Sequence, residues 1–342
     1  MRQIWITKPG PPEVLQVREA QDPTPGPDQV RIRVRAAGIN FADLMARVGL
    51  YPDAPRPPCV VGYEVSGVID AVGATVTRLA VGDRVFGMPR FGGYTDTLVI
   101  SERQAFRMPE KMTFEEAAAM PVVYLTAHHM MLFTGHLRRG ARVLIHSAAG
   151  GVGLAAIELA RTRDCEIYGV ASAGKHGFLR ERGCQHPIDA AGDYVAEVRR
   201  ATGGKGVDLV LDPVGGKSWS EGYSLLAPAG RLVAFGLSAA ASGKKRNLIH
   251  ALRQLMQIKS YSPRVLMDDN KTISGCNMGH LFGEVEMLAE QFGALIAMYD
   301  ADQIHPHVDR SFAFADAAAA HHYLHDRKAK GKVLLVPAGA AS

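Results

Sequence analysis

Cysteine is scarce in this chain. Its four copies, Cys59, Cys165, Cys184 and Cys276, lie far apart among 342 residues. That spacing argues against a disulfide framework and leaves free, buried thiols as the expected state. Long apolar runs are missing as well, since none approaches the ~18 residues that a membrane-spanning helix needs. The amino-terminal stretch MRQIWITKPGPPEV breaks its hydrophobic character at Thr7, Lys8 and Pro9 before a signal-peptide core could form; a soluble, cytoplasmic protein is expected. Nor is charge of one sign in large excess. Lys and Arg number 39 against 34 acidic residues, spread along the chain rather than gathered in blocks, so a nucleic-acid surface is not indicated. Repeats and low-complexity tracts are absent.

What remains is a hydrophobic content of 47%, ample for packed interiors, in a chain long enough for two domains. The stretch that organises it is ARVLIHSAAGGVGLAAIELA, residues 141–160. Val143, Leu144 and Ile145 suit a buried strand, while Leu154, Ile157, Glu158 and Leu159 follow a helical period. Between them, Ala148-Ala149-Gly150-Gly151-Val152-Gly153 fits a dinucleotide fingerprint with alanine in place of the first glycine. The missing side chain at Gly150 lets backbone approach a pyrophosphate, and the following helix aims free N–H groups and a positive dipole end at it. Gly153 allows close packing of helix on strand. Glycine clusters also mark ordinary turns; here the cluster follows a strand and opens a helix.

Residues 1–122 read as mostly β, with strands at 30–36, 60–72, 84–86 and 97–100 separated by proline and glycine turns. Asn40-Phe41-Ala42-Asp43 and Thr113-Phe114-Glu115-Glu116 resemble capping boxes that open short helices. From 123 to 299 the pattern alternates strand and helix: strands at 142–147, 166–170, 187–188, 207–211, 231–235 and 272–275, helices at 152–163, 175–183 and 193–201. This predicts a doubly wound parallel sheet. Residues 243–259 predict an amphipathic basic helix with Leu248, Ile249, Leu252, Leu255 and Met256 on one face. Such a helix covers a cleft or a subunit interface, or lies on a membrane surface. A helix through 281–299, another at 315–327 and a strand at 332–336 complete the chain, and the tail is expected to rejoin the first domain.

An acidic residue about 20 positions past the glycine turn accepts the adenosine ribose in NAD enzymes. Here the second strand ends at Val170-Ala171-Ser172, with Lys175 beyond and no acid. Ser172 and Lys175 could bind a 2′-phosphate, which points to NADPH; alternatively Ser172 is a helix cap and Lys175 a solvated lysine.

With the glycine turn, Gly38-Ile39-Asn40-Phe41-Ala42-Asp43, Gly62-Tyr63-Glu64 and Gly331-Lys332-Val333-Leu334-Leu335 together, the chain resembles the medium-chain dehydrogenase/reductase superfamily along its whole length. NFADLMARVGLY (40–51), MTFEEAAAMPVVYLTA (112–127), SAGKH (172–176), DPVGG (212–216) and GKKRNL (243–248) resemble its zinc-free quinone oxidoreductase branch, and within it the vesicle amine transport protein group. The resemblance implies a GroES-like catalytic domain formed by 1–122 and 300–342 around a Rossmann NADP(H)-binding domain of 123–299. It also implies a homodimer paired through the last Rossmann strand, near Ile273 to Cys276. Further cofactor contacts carried over from it are Thr126, Asp212-Pro213, Phe235-Gly236, Gly275 to Asn277 and Lys332. Zinc-dependent relatives hold metal with cysteine and histidine, whereas Asn40, Asp43 and Tyr63 stand at the corresponding motif positions here. A metal-free enzyme is therefore expected.

Without a metal to hold charge on a carbonyl oxygen, the easier hydride acceptors are those that delocalise it, namely quinones and α,β-unsaturated carbonyls. Asn40, Tyr51 and Tyr63 are the candidate oxygen-facing donors, Asn40 first because an amide donates without titrating. Asn40 could instead cap its helix, and Tyr63 could fill an apolar wall. The sequence reading is an NADPH:quinone oxidoreductase, with alkenal or enone reduction as the alternative. A reading from another class is an NADPH-binding, membrane-associated interaction protein with little turnover.

Overall fold

The computed structural model describes residues 1–241, 243 and 247–339. The first part of the chain forms β1 (Arg2–Ile6), β2 (Leu15–Glu19), β3 (Gln29–Ile39), α1 (Phe41–Val48), β4 (Cys59–Val60), β5 (Val65–Val72), β6 (Arg84–Gly87), β7 (Thr97–Ser101), β8 (Ala105–Arg107), α2 (Phe114–Ala119) and α3 (Pro121–His128). Strands and helices then alternate through β9 (Arg142–His146), α4 (Gly151–Arg161), β10 (Glu166–Ala171), α5 (His176–Glu181), β11 (His186–Asp189), α6 (Tyr194–Ala201), β12 (Val207–Asp212), α7 (Lys217–Ser224) and β13 (Leu226–Ala234). After α8 (Leu248–Met256), α9 (Pro263–Asp268) and β14 (Thr272–Gly275), the chain continues with α10 (Val285–Asp300), β15 (Val308–Ala313), α11 (Ala317–His325) and β16 (Lys332–Val336).

These elements form two compact units, one of residues 1–125, 243 and 279–339, the other of 126–241 and 247–278. In the first unit a large sheet runs β15-β16-β3-β5-β6-β8, with β7 also on β3, beside a small sheet β2-β1-β4. Along β3 the alternation expected from the sequence places Val30, Ile32 and Val34 in a core shared with Ile69, Val85 and Ile100. The antiparallel register of β16 on β3 sets Val333 opposite Ile39 and Leu334 opposite Gly38. Lys332 and Asn40 are thereby brought side by side from opposite ends of the sequence.

In the second unit six parallel strands follow the order β11-β10-β9-β12-β13-β14, the doubly wound order in which the chain starts at the centre and reverses direction once. Leu144, Tyr168, Val170, Val210 and Leu232 supply its core with helix residues such as Val198 and Tyr223. Among the described residues β14 pairs with β13 alone and is the sheet's edge.

Several expectations shift. The segment expected as one strand over 60–72 is divided, because Gly62 takes a left-handed backbone (φ +100°) and a side chain there would press on the Tyr94 backbone at 2.7 Å. Strands β1, β2, β8 and β15 and helices α3, α7 and α9 were not anticipated. The second unit ends at 278 rather than 299, since Phe292 of α10 packs 4.5 Å from Phe106 and 5.4 Å from Phe86, ring centre to ring centre, in the first unit. The helix expected over 243–259 spans Leu248–Met256, with 244–246 outside the described residues, and Leu248, Ile249, Leu252, Leu255 and Met256 are all exposed. All four cysteines are free and buried. Among the described residues no helix is long and apolar enough to cross a membrane.

Candidate active site

The carboxyl ends of the second unit's strands carry most of the expected cofactor residues. After β9 the chain turns at Ser147 (φ +54°) and enters α4 with Gly150 as N-cap. A side-chain carbon on Gly153 would lie 2.5 Å from the Ala148 carbonyl oxygen, so only glycine lets the first turn of α4 sit on the loop. Ala149 is buried, while Gly150, Gly151 and Val152 are partly accessible. The N-terminus of this 11-residue helix presents unpaired N–H groups and a positive dipole end, as an anionic group requires.

The neighbouring strand ends complete that rim. Ser172 follows β10, exposed, and its carbonyl accepts from the Lys175 N–H at 2.9 Å in a short 3₁₀ turn. The loops after β12 and β13 are stitched together: Phe235 N donates to the Asp212 carbonyl at 3.1 Å and Ser238 N to that of Pro213 at 2.9 Å. Gly236 lies so close to Pro213 that a side-chain carbon would fall 2.9 Å from its carbonyl oxygen. Gly275 ends β14, Cys276 N bonds the Ala234 carbonyl at 2.9 Å, and Asn277 is exposed beyond it.

Three further residues named from the sequence are buried. Thr126 is buried within α3. Asp212 is fully buried and its carboxylate turns inward, accepting from Val214 N at 2.6 Å and Gly215 N at 3.3 Å, with His146 Nε2 4.0 Å away. Burial pushes the His146 imidazole below its ordinary range. Lys332 belongs to the first unit, where it is ion-paired with Glu64 and donates to Asn40 Oδ1 at 2.7 Å.

That first-unit cluster contains the candidate donors. Asn40 precedes α1, and its backbone N–H donates to Asp43 Oδ2 at 2.8 Å, the capping contact expected from the sequence. Its side chain reaches beyond the capping box: Nδ2 donates to Glu64 Oε1 at 2.8 Å while Oδ1 accepts from Lys332. Asp43 is fully buried and also accepts from Gly62 N at 3.0 Å. Burial pushes its carboxyl up to about 7, against the opposing pull of the Asn40 backbone bond and Lys332. The Tyr94 hydroxyl stands 3.2 Å from His321 Nε2, and burial, then the Asp43 charge, raises its phenol.

Tyr51 and Tyr63 meet edge-on with ring centres 6.4 Å apart, and Phe91 packs 5.3 Å from Tyr63 on another side. Burial first, then the Asp43 charge, raises the Tyr63 phenol; burial, Asp53 and Asp43 raise that of Tyr51. Both phenols are thereby kept protonated. Sequence reasoning assigned no role to Glu64, Tyr94 or His146. The signal for Glu64 was a lone carboxylate inside VVGYEVSGV, matched by a lone ammonium heading KVLLV; charges so placed must be paired to be buried.

Two family descriptions match the chain: an alcohol dehydrogenase GroES-like domain over residues 26–110 and a zinc-binding dehydrogenase domain over 182–335. The synaptic vesicle membrane protein VAT-1 homolog of Homo sapiens is 43% identical, over 94% of this chain and 82% of its own length. A quinone oxidoreductase of Pseudomonas aeruginosa is 34% identical over 98% of this chain and 99% of its own. Among solved structures, Escherichia coli quinone oxidoreductase complexed with NADPH superposes with a TM-score of 0.87 at 28% identity, covering 98% of this chain and all of the other. With both characteristic units present and likeness running end to end, the chain belongs to the medium-chain dehydrogenase/reductase superfamily, in the quinone oxidoreductase branch near the VAT-1 homologues.

Proposed function

We propose that the protein is an NADPH-dependent reductase of quinones or of α,β-unsaturated carbonyls that needs no zinc. The observation that carries the reading is the end of β10, where Ser172 and Lys175 stand in place of an acid, on the same rim as the glycine turn. An acid there would repel a 2′-phosphate; a hydroxyl and an ammonium attract one. The loop around Gly150 and Gly151, without side chains, and the start of α4 fit a pyrophosphate. Gly275 and Asn277, with the loops at Pro213 and at Phe235-Gly236, complete the cradle. The nucleotide bound there supplies hydride.

The first unit supplies the charge-handling side chains. Tyr51 and Tyr63 remain protonated and donate to the acceptor's oxygen as negative charge builds on it. Among the described residues Asn40 keeps one amide N–H without a partner, its other amide groups being committed to Glu64 and Lys332. Among the described residues no three His, Cys, Asp or Glu side chains converge as metal ligands, and amide and phenol donors suit acceptors that delocalise charge themselves. Elemental analysis giving stoichiometric zinc would overturn the metal-free part of the reading.

The test compares NADPH and NADH oxidation with an ortho-quinone, a para-quinone, a 2-alkenal and a saturated ketone. Turnover with NADPH and a quinone or alkenal, and none with the ketone, is expected; the ratio of the first two separates quinone from carbon–carbon double-bond reduction. Lys175→Ala should raise the KM for NADPH about tenfold and leave that for NADH nearly unchanged, the loss of one charge-assisted contact. Equal effects would remove the 2′-phosphate assignment.

The same reading places the enzyme in the cytoplasm as a homodimer. A second reading, an NADPH-binding protein that meets membranes and turns over little, is favoured by the five exposed apolar side chains of α8. Co-sedimentation with anionic vesicles, together with failure of every acceptor, would put it in place of the first.

A further inference from the structure

We infer that Lys332 and Glu64 are positioning residues that lock the Asn40 amide in one orientation, so that its second Nδ2–H is the donor for the oxygen of the acceptor being reduced. The inference rests on the reductase reading for the acceptor and goes beyond it in assigning these three roles.

The three side chains close a ring of contacts. Lys332 Nζ donates to Asn40 Oδ1 and pairs with Glu64 Oε1, and Asn40 Nδ2 donates to the same carboxylate oxygen. Turning the amide over would set its NH₂ against the ammonium and its oxygen against the carboxylate, two repulsive contacts in place of two attractive ones. One orientation therefore survives. Glu64 is held from its other side as well, since Oε2 accepts from Val122 N at 2.7 Å at the start of α3. Across the strand a side chain on Gly38 would stand only 2.4 Å from Glu64 Oε1, so glycine is needed where the carboxylate presses on β3.

Burial is uneven, and that points the arrangement outward. Glu64 is fully buried and Lys332 is 3% exposed, whereas Asn40 is only partly buried. Of the three side chains, the one that carries the spare amide hydrogen is the one that is partly accessible. Burying a charged pair is costly compared with packing apolar side chains, so a pair that serves only the fold would be a poor choice for this place. An ammonium on the amide oxygen withdraws electrons through the planar amide and strengthens the N–H donor. A donor fixed before reaction pays no reorganisation as the oxygen gains charge. Asn40 gives a hydrogen bond here and keeps its proton.

A double-mutant cycle tests the assignment, with Asn40→Ala, Lys332→Met and the two combined, measuring kcat, the acceptor KM, the melting temperature and, separately, the NADPH Kd by nucleotide fluorescence. Each single change should lower kcat about tenfold or more and leave the NADPH Kd within about twofold, and the double variant should be no slower than Asn40→Ala alone. Because Lys332→Met strands a buried carboxylate, the neutral pair Glu64→Gln with Lys332→Met is measured in parallel. It should fold and still lose kcat. A tenfold weaker NADPH Kd in Lys332→Met would make Lys332 a cofactor contact instead and overturn the inference. So would losses that multiply in the double variant, or full kcat in the folded neutral pair. If the wild-type protein reduces no acceptor, the reductase reading falls and takes this inference with it; normal wild-type turnover combined with any of the contrary results overturns the inference alone.

Discussion

At the scale of the residue, Asp43 shows how a helix cap becomes an electrostatic element. Its oxygens bond the backbone of Asn40 and Gly62, yet with no exposed surface it is pushed up to about 7. In the unfolded chain an aspartate titrates near about 4. Between these values the folded protein keeps a proton that the unfolded chain has released, so stability falls as pH rises through that window. The slope is at most about 1.4 kcal/mol per pH unit, and it flattens above about 7. Asp43→Asn carries no such proton. Urea melts of both proteins from about pH 4.5 to about pH 8 should show the wild type losing stability relative to the variant as pH rises; a constant difference would mean an ordinary carboxylate. Little of this was legible beforehand. Asn40-Phe41-Ala42-Asp43 announced a capping box, and the box is there, but the side chain of Asn40 is also bonded by a lysine 292 positions away. A register between distant strands decides that partner, and local spacing says nothing about it.

At the scale of the element, the strand, turn and helix at 142–161 were legible because three signals agree: branched residues, a glycine break and a resumed helical period. Strands Thr272–Gly275 and Lys332–Val336 were legible at both ends. Strands β1 and β2 were not: four of the five residues of LQVRE are exposed, so no buried face marks it, and RQIWI is placed by pairing with it and with β4. α10 shows another limit. Its helical period is plain in the sequence, but its membership of the first unit depends on Phe292 meeting Phe86 and Phe106. The glycine turn carries its own prediction. Gly153→Ala should destabilise the protein by about 1–3 kcal/mol through overpacking on the Ala148 backbone and weaken NADPH binding, read as a smaller rise in melting temperature on adding the nucleotide. An unchanged rise would detach the turn from the cofactor.

At the scale of the whole molecule, the open feature is the edge of the six-stranded sheet. Among the described residues β14 pairs on one side with β13 and has no strand on the other, and an unprotected edge invites a second strand. A two-fold mate meeting it antiparallel would continue the sheet into another copy, which is the homodimer expected from the family. Light scattering after size exclusion should give the mass of a dimer, and Ile273→Pro, which deletes one N–H of the edge and stiffens the strand, should shift it toward the monomer. A dimer that survives this change would have to pair elsewhere.

The exposed apolar residues of α8 and α9 have a chemical consequence as well as a structural one. Met256 and Met267 are 78% and 72% exposed, and a thioether in water is open to peroxide while one in a core is sheltered. Oxidation to the sulfoxide replaces a soft apolar end with a strong dipole. Any association that depends on the greasiness of that face would then fade with the age of the sample, long before the buried thiols or the fold recorded any damage.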